Sequence, residues 1–275
     1  MSNLSSKLSV VLTIASLAVG LGVATQPAWG ESALQTKEQT FHGERLVVEG
    51  LRGRLRIEVE DRSDVAVQVR GVAADVRDVA LDAQNGTVRI LDRSSGGGSS
   101  VRSSSITVGS VTATGHAVVH IGGKDVSAEE NHPALEITAR IPVGLPLTLQ
   151  VLSGNCEVGD SRGPVALTVA VGDCTLGAIG KAQLSIEGAG DIVVRQVSGD
   201  LEATVDGSGD IRVKNGQVEK LAVSLQGSGD ITLGVTAKQA ALRLQGSGDI
   251  RITEVRDRPT ITLNGSGTVD IGNWP

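Results

Sequence analysis

Carboxylate side chains recur at a nearly constant interval in the C-terminal half of the sequence. Each one ends a glycine-rich corner and precedes two spaced aliphatic residues, as in QGSGDITLG from Gln226 to Gly234. The row consists of Asp173, Asp191, Asp210, Asp230 and Asp249, with Asn155 before it and Thr268 after it in the same slot. Regularly spaced oxygen ligands could bind Ca²⁺, because Gly-x-Gly-x-Asp repeats that bind this ion are known. The candidate metal ligands are therefore Asp191, Asp210, Asp230 and Asp249.

The spacing of the row favours a structural corner over a calcium site. Successive slots are 18, 18, 19, 20, 19 and 19 residues apart, whereas calcium-binding repeats of this type have a period of about nine. Carboxylates stacked about 4.8 Å apart repel by roughly 1 kcal/mol in water and by about 3–4 kcal/mol at an effective dielectric constant of about 20. The row therefore requires N–H donors, cations or raised pKa values. We expect backbone N–H groups in the corner to be the donors, as in an Asx turn, with Ca²⁺ as the alternative.

Two cysteines, Cys156 and Cys174, occupy the slot that isoleucine holds in later repeats. Both should therefore point into the core from adjacent coils. In-register stacking places their Cα atoms about 4.8 Å apart, within the range that a disulfide permits, although parallel side chains keep the Cβ atoms slightly beyond the ideal separation. A disulfide and a pair of buried thiols both fit this pattern. A metal site does not, because no histidine or further cysteine shares the period.

Histidines offer a second kind of chemistry. His116 and His120 in GHAVVH fall on one face of a predicted strand, either as a ligand pair or as two exposed side chains beside a Ser/Gly loop. His42 and His132 have no evident partner. The sequence contains no Ser-His-Asp order, P-loop or HExxH motif. A uniform row of aspartates also lacks the differentiated carboxylates that glycan cleavage requires, so the sequence predicts no enzymatic activity.

Short strands with period-2 alternation must position these residues. Aliphatic and polar residues alternate on both sides of each corner, as in LAVSL before and ITL after the corner at Asp230. Such strands at a period of about 19 residues can pair only with the copies before and after them. The sequence therefore predicts an all-β fold, a parallel β-helix of about seven coils between about Leu145 and Pro275. The stretch RGRLRIEV (Arg52 to Val59) imitates the corner with Arg54 in the aspartate slot.

Residues 31–140 are predicted to be a less regular start of the same sheet system, before the regular solenoid of residues 141–275. Further alternating strands fill residues 41–90. Serine and glycine dominate residues 94–105, which predicts a flexible loop, and Ile106 to Ile121 could form an inserted hairpin. From the sequence, the first region either caps the β-helix or forms a separate domain.

The first 30 residues have the pattern of a signal peptide. Lys7 precedes an apolar run from Leu8 to Ala24, and Ala28-Trp29-Gly30 is a small-x-small cleavage site before Glu31. A membrane anchor needs roughly 20 apolar residues, and this run is shorter and contains Ser and Thr. We expect residues 1–30 to be removed and the mature protein to be soluble in the periplasm or outside the cell, without a transmembrane segment.

Composition narrows the class of partner. The 275-residue chain has a formal net charge of −6 and is 40% hydrophobic, with one Phe, two Trp and no Tyr. An acidic chain without stacking side chains is a poor nucleic-acid binder. The shortage of rings also argues against sugar recognition by ring stacking. Val, Ile, Leu and Ala must fill the core, which favours strands.

Several stretches resemble a known family. The GSGDI-type coils, FHGERLVVEGLRGRLRIEV (Phe41 to Val59) and ITARIP (Ile137 to Pro142) are similar to the putative auto-transporter adhesin head GIN domain family. The stretch from Leu135 to Leu176 also resembles a related group of putative adhesins with SGDI repeats. The resemblance covers roughly residues 41–272. It implies an exported bacterial β-helical protein, in a family whose function is usually unassigned.

These features predict an exported, non-enzymatic, β-helical envelope protein of adhesin-like type. It would offer a binding or scaffold surface to another macromolecule, either protein or glycan. Two alternatives are a ligand- or polysaccharide-acting module that uses the insertion at 94–133, and a calcium-stabilised repeat protein. No cofactor other than Ca²⁺ is expected. The open end of a solenoid could also stack on another copy, which predicts end-to-end self-association.

Overall fold

A computed structural model describes residues 34–93, 118–121, 124–127 and 135–275, which are almost entirely β-structure. In chain order the elements are β1 (Leu34–Phe41), β2 (Arg45–Glu60), β3 (Val65–Val72), α1 (Ala73–Asp78), β4 (Val79–Gln84), β5 (Thr87–Asp92), β6 (Val118–Ile121), β7 (Lys124–Ser127), β8 (Glu136–Pro142), β9 (Leu147–Val158), β10 (Val165–Val169), β11 (Asp173–Ile179), β12 (Ala182–Ile186), β13 (Asp191–Ser198), β14 (Leu201–Gly207), β15 (Ile211–Gly227), β16 (Ile231–Gly246), β17 (Ile250–Val255), β18 (Thr260–Gly265) and β19 (Val269–Asn273).

From β9 onward the strands stack in parallel into two ladders that enclose the core. Ladder A consists of the first half of β9, β10, β12, β14, the second halves of β15 and β16, and β18. Ladder B consists of the second half of β9, β11, β13, the first halves of β15 and β16, β17 and β19. Each coil contributes one strand to each ladder. The predicted β-solenoid, with about seven coils of about 19 residues, is confirmed.

The register of the ladders follows the sequence period. Ile211, Ile231 and Ile250 are successive partners in ladder B, and all three are completely buried. The coil that contains the 20-residue interval has an irregular register between Val213 and Gly216. A bulge there absorbs an extra residue, so the strands on both sides keep their aliphatic face toward the core.

The interior is aliphatic, as the composition predicts. Its buried residues form one continuous cluster from Leu46 in β2 to Val255 in β17. Burying one Val, Leu or Ile side chain stabilises the fold by roughly 1.5–3 kcal/mol. A single coil has too few such side chains to offset the entropy lost when its backbone is ordered. Each coil is therefore stable only between neighbours.

The N-terminal strands extend both ladders and end the parallel stack. Strand β2 runs beside β9 in both ladders. Beyond it, β5 and β4 continue ladder A, whereas β8, β3 and β1 continue ladder B. The pairs β4–β5, β3–β8 and β1–β3 are antiparallel. We call β1 to β5 together with β8 the N-terminal cap. Within it Arg54 is the register partner of Asn155, as the RGRLRIEV motif predicts.

The helix α1 departs from the prediction that residues 41–90 consist of strands. It lies between β3 and β4 and buries Val76. The helix has six residues, which is too short for a periodic pattern of apolar residues to reveal it in the sequence.

Some predicted features lie outside the described residues, namely the signal peptide at 1–30, the loop at 94–105 and residues 106–117. Two strands of this region are described, and they pair antiparallel. Strand β6 occupies the end of the range Ile106 to Ile121 in which a hairpin was expected, whereas β7 follows that range. Within the described ranges, no helix is long and apolar enough to cross a membrane.

Candidate functional site

The glycine-rich corners line up along one edge of the solenoid. In the coil of Asp230, Gly227 has a φ of +131°, which L side chains rarely adopt. A Cβ atom on Gly229 would lie 2.0 Å from the carbonyl oxygen of Gly209 in the preceding coil. Glycine is therefore required at both positions, and Ser228 between them is exposed. The backbones of successive corners come close enough for their polar groups to bond.

The aspartates form a single row in which the carboxylates from Asp191 onward accept hydrogen bonds from the next coil. In each case the acceptor is Oδ1 and the donor is the backbone N–H of the next residue in the row. The bonds run from Asp210 to Asp191 at 2.9 Å, from Asp230 to Asp210 at 2.8 Å, from Asp249 to Asp230 at 2.9 Å, and from Thr268 to Asp249 at 3.0 Å. Backbone donors were expected, but these belong to the adjacent coil and not to a local Asx turn. Parallel stacking causes this difference, because it directs the backbone N–H of each residue in the row toward the coil before it.

The row is interrupted near its N-terminal end. Asn155 accepts the N–H of Asp173 through Oδ1 at 3.1 Å. The N–H of Asp191, however, donates to the carbonyl oxygen of Gly172 at 3.1 Å. Within the described part of the chain, the Asp173 carboxylate therefore accepts no hydrogen bond. This residue provides an internal control for the rest of the row.

The C-terminal end of the row is surrounded by the largest number of favourable partners. Hydrogen bonds from the Thr268 hydroxyl at 2.7 Å and from the Thr268 N–H, and then the charge of Arg251, hold the pKa of Asp249 below its usual range. The Arg251 guanidinium lies 2.5 Å from Asp249 and 3.7 Å from Asp230. An arginine in the neighbouring column therefore offsets part of the repulsion between these two carboxylates.

The row does not assemble a cluster of metal ligands. One oxygen of each candidate ligand already accepts a backbone N–H, as described above for Asp191, Asp210, Asp230 and Asp249. Ca²⁺ takes about six to eight oxygen ligands. In the ranges that the structure describes, no group of three His, Cys, Asp or Glu side chains could hold a metal ion.

The two cysteines lie where the period places them. Cys156 in β9 and Cys174 in β11 are register partners, both are buried, and their Cα atoms are 4.5 Å apart. The structure joins them in a disulfide that links the first two coils of the solenoid. Its formation in solution stays a prediction.

The surroundings of one histidine are described. His42 follows β1 and is exposed. His116 and His132 lie outside the described residues, and His120 belongs to β6. The ligand pair of His116 and His120 therefore stays a prediction.

A groove of about 570 Å³ lies on the outer surface of ladder A. Its floor includes Ala222 and Ala241, which are exposed register partners in consecutive coils. A smaller depression of about 260 Å³ shares both alanines and continues toward Ser224 and Arg243. We call the two together the ladder A groove. This groove was not predicted from the sequence, although two small outward residues one coil apart are a signal that could have indicated it.

Amide, hydroxyl and charged groups form the walls of the ladder A groove. Lys181 lies 3.5 Å from Asp200, and the side-chain amide of Gln183 donates to Glu202 at 2.9 Å. These contacts engage two of the carboxylates in the lining. The lining cations that form no ion pair with any described residue are Lys220, Arg243 and Arg258.

Comparison with known proteins agrees with this architecture. A putative adhesin from Bacteroides fragilis is 14% identical, with a TM-score of 0.53, and the match covers 88% of this chain and 98% of that chain. A putative adhesin from Parabacteroides distasonis is 16% identical, with a TM-score of 0.51 and the same coverage. At such identities these structures support the fold alone. No curated protein matches the sequence.

The family model of the putative auto-transporter adhesin, head GIN domain, matches residues 47–275. The match includes β2, both ladders and the aspartate row, so it covers the features that define the fold. The family predicted from the GSGD corners is confirmed. The chain therefore belongs to the putative auto-transporter adhesin, head GIN domain family.

Proposed function

We propose that this protein is an exported, non-enzymatic protein of the bacterial envelope whose rigid solenoid presents a binding surface to another macromolecule. The observation that carries the proposal is the uniform spacing of outward side chains, which both ladders repeat about every 4.8 Å over about seven coils. An extended, repeated surface suits a partner that is itself long. Membership in an adhesin-like family adds support of a weaker kind, because fold alone does not determine function.

The aspartate row favours binding over catalysis. Asp191, Asp210 and Asp230 each accept the same kind of hydrogen bond from the backbone of the next coil, so the three carboxylates are held in the same way. Glycan cleavage uses two carboxylates with different environments, one of which has a raised pKa. The pKa of Asp249 is lowered, which is opposite to the change that a catalytic acid requires.

Two features favour export. The first 30 residues have the charge, apolar run and cleavage site of a signal peptide. In addition, Cys156 and Cys174 are placed for a disulfide, and disulfides persist in oxidising compartments.

Fractionation and capture from the native envelope test this function. The full-length chain is produced in a bacterial host, and the N-terminus of the recovered protein is sequenced. We expect cleavage before Glu31 and recovery from the periplasm or the medium. The immobilised mature protein should then retain an envelope macromolecule that heat-denatured protein does not retain. Uncleaved protein in the cytoplasm, or turnover of an envelope polysaccharide by the pure protein, would contradict the proposal.

A further inference from the structure

We propose that the ladder A groove binds a linear polysaccharide that carries acidic groups, with the polymer lying along the solenoid axis. This inference rests on the proposed binding function and adds the site and the chemical class of the partner. Three properties of the groove support it, namely its shape, the groups in its walls and its unpaired charges.

The shape of the groove fits a linear polymer. Its lining extends from Lys181 to Thr260, which is four coils further along ladder A. At a spacing of about 4.8 Å per coil, this distance is about 19 Å. The small side chains of Ala222 and Ala241 let a bound chain approach the sheet over part of this length. The lining therefore extends along the solenoid axis over several coils, as a bound linear polymer would.

The groups in the walls favour a hydroxyl-rich partner over a protein or a lipid. The exposed apolar side chains of the floor are Ala222 and Ala241, because the leucine and valine residues of the lining are buried. The floor therefore presents no large apolar side chain of the kind that dominates protein interfaces. Hydrogen-bonding groups in the lining include Gln183, Gln239, Ser224, Thr260 and Thr262. Amides and hydroxyls both donate and accept hydrogen bonds, as sugar hydroxyls do. No aromatic ring belongs to the lining, so nucleic-acid bases would have no stacking partner and sugars would be held by hydrogen bonds and charge.

The charges in the groove favour a partner with acidic groups. Asp200 forms an ion pair with Lys181, whereas Glu202 accepts a hydrogen bond from the neutral amide of Gln183 and keeps its charge. Among the described residues, Glu202 and Asp257 are therefore the lining carboxylates without a cationic partner. The three lining cations without an ion pair, in contrast, are Lys220, Arg243 and Arg258. The chain as a whole carries a net charge of −6, whereas the unpaired cations of the groove outnumber its unpaired carboxylates by three to two, so the groove favours an acidic polymer more than the average surface does.

Isothermal titration of the full mature protein tests the inference with matched probes. The acidic probes are oligogalacturonate, oligoalginate and hyaluronate oligosaccharides. Methyl-esterified oligogalacturonate keeps the sugar backbone and removes the charge, and poly-glutamate carries charge without sugar hydroxyls. We expect at least one acidic glycan to bind, and we expect esterified oligogalacturonate and poly-glutamate to bind at least about tenfold more weakly.

Two variants and their controls locate the site. Ala241→Trp fills the floor and Arg243→Gln removes an unpaired cation, and each should weaken binding of the acidic glycan by about tenfold or more. Thr232→Trp and Arg212→Gln make the same changes on the outer surface of ladder B and should leave affinity unchanged. Thermal unfolding of all four variants verifies that the fold is intact.

Some results would overturn the inference. The first is that methyl-esterified oligogalacturonate or poly-glutamate binds as tightly as the acidic glycan. The others are an affinity for the acidic glycan that Ala241→Trp does not change, and no binding of any acidic glycan. Envelope capture separates these failures from failure of the proposed function. A macromolecule retained equally by the wild type and by Ala241→Trp leaves the function in place and moves the site elsewhere. Capture of nothing by the wild type contradicts both.

Discussion

The N-terminal cap and the regular solenoid accommodate their charged groups in different ways. In the cap, Arg140 lies 3.3 Å from Glu58, 3.7 Å from Glu60 and 3.8 Å from Glu38, so opposite charges meet across strands. In the solenoid, carboxylates stand in one row and bond to backbone N–H groups. Repetition explains the difference, because a repeated sequence stacks each residue type on itself. Charges in such a column cannot alternate, and from Asp191 onward the backbone of the next coil donates a hydrogen bond to each carboxylate.

Glycine substitutions should have the largest effect, and they should separate the stacked corners of the solenoid from the turn that follows the cap. Gly229→Ala places a Cβ atom 2.0 Å from a carbonyl oxygen of the preceding coil, so the backbone must move. We expect a loss of about 3 kcal/mol or more in the free energy of unfolding, measured by urea denaturation. Gly144→Ala, in the turn that leads from the cap to the solenoid, has a φ of +84° and nothing within 4 Å, so about 1–2 kcal/mol should be lost. A loss in Gly229→Ala as small as that expected for Gly144→Ala would mean that stacked corners tolerate a side chain.

The disulfide should have the next largest effect, at the boundary between the two regions. Cys156 and Cys174 are 18 residues apart in sequence. In the chain-entropy model, a crosslink over such a loop contributes about 3 kcal/mol. We expect a reductant to lower the urea midpoint of the wild type but not that of the double variant Cys156→Ser/Cys174→Ser. Alkylation of both cysteines in unfolded but unreduced protein would show that the thiols are free.

In the aspartate row, the free energy of unfolding should fall when a carboxylate's acceptor oxygen is removed, but it should change little when only the charge is removed. Asp230→Ala leaves the N–H of Asp249 without its acceptor and should cost about 1–3 kcal/mol. Asp230→Asn keeps an acceptor oxygen, as Asn155 does in the native row, and should change stability by less than about 0.5 kcal/mol. The control is Asp173→Ala, which removes a carboxylate that accepts no hydrogen bond from the described residues, and it should be similarly mild. A loss in Asp230→Asn as large as in Asp230→Ala would show that charge dominates.

Added salt should weaken the attraction between opposite charges in the cap and the repulsion between like charges in the aspartate row. Arg140→Gln removes the cation from three carboxylates in the cap and should cost about 1 kcal/mol or less. Salt screens this attraction, so the loss should shrink as NaCl is raised from low to high concentration. For Asp230→Asn, any gain at low salt comes from reduced repulsion and should also vanish in high salt. A loss that does not depend on salt would mean that Arg140 acts through packing.

Features that follow from the repeat could be predicted from the sequence, because a fixed period determines which residues stack. The adjacency of Cys156 and Cys174 and the row of aspartates are of this kind. The donor to each carboxylate could not be predicted, since spacing alone does not tell whether an N–H points within its own coil or toward the previous one. The groove was missed for a related reason. Ala222 and Ala241 are visible as small outward residues, but a groove exists only where larger neighbours form its walls.

The smallest effect expected is a pH dependence at the C-terminal end of the row. Because the folded-state pKa of Asp249 is lowered, its ionised form stabilises the fold above the ordinary carboxyl pKa of 3.8, and this contribution is lost as pH falls through the folded-state pKa. The difference in unfolding free energy between the wild type and Asp249→Asn should therefore be constant near neutral pH and should narrow below about pH 4. Thr268→Val removes the hydroxyl that contributes most to the lowered pKa, so the Asp249 pKa measured by NMR should rise toward 3.8 in this variant. A wild-type pKa at or above 3.8 would contradict the assignment. Such a value would also imply that repulsion along the row outweighs the hydrogen bonds from the next coil, which would make the solenoid depend on charge as the cap does.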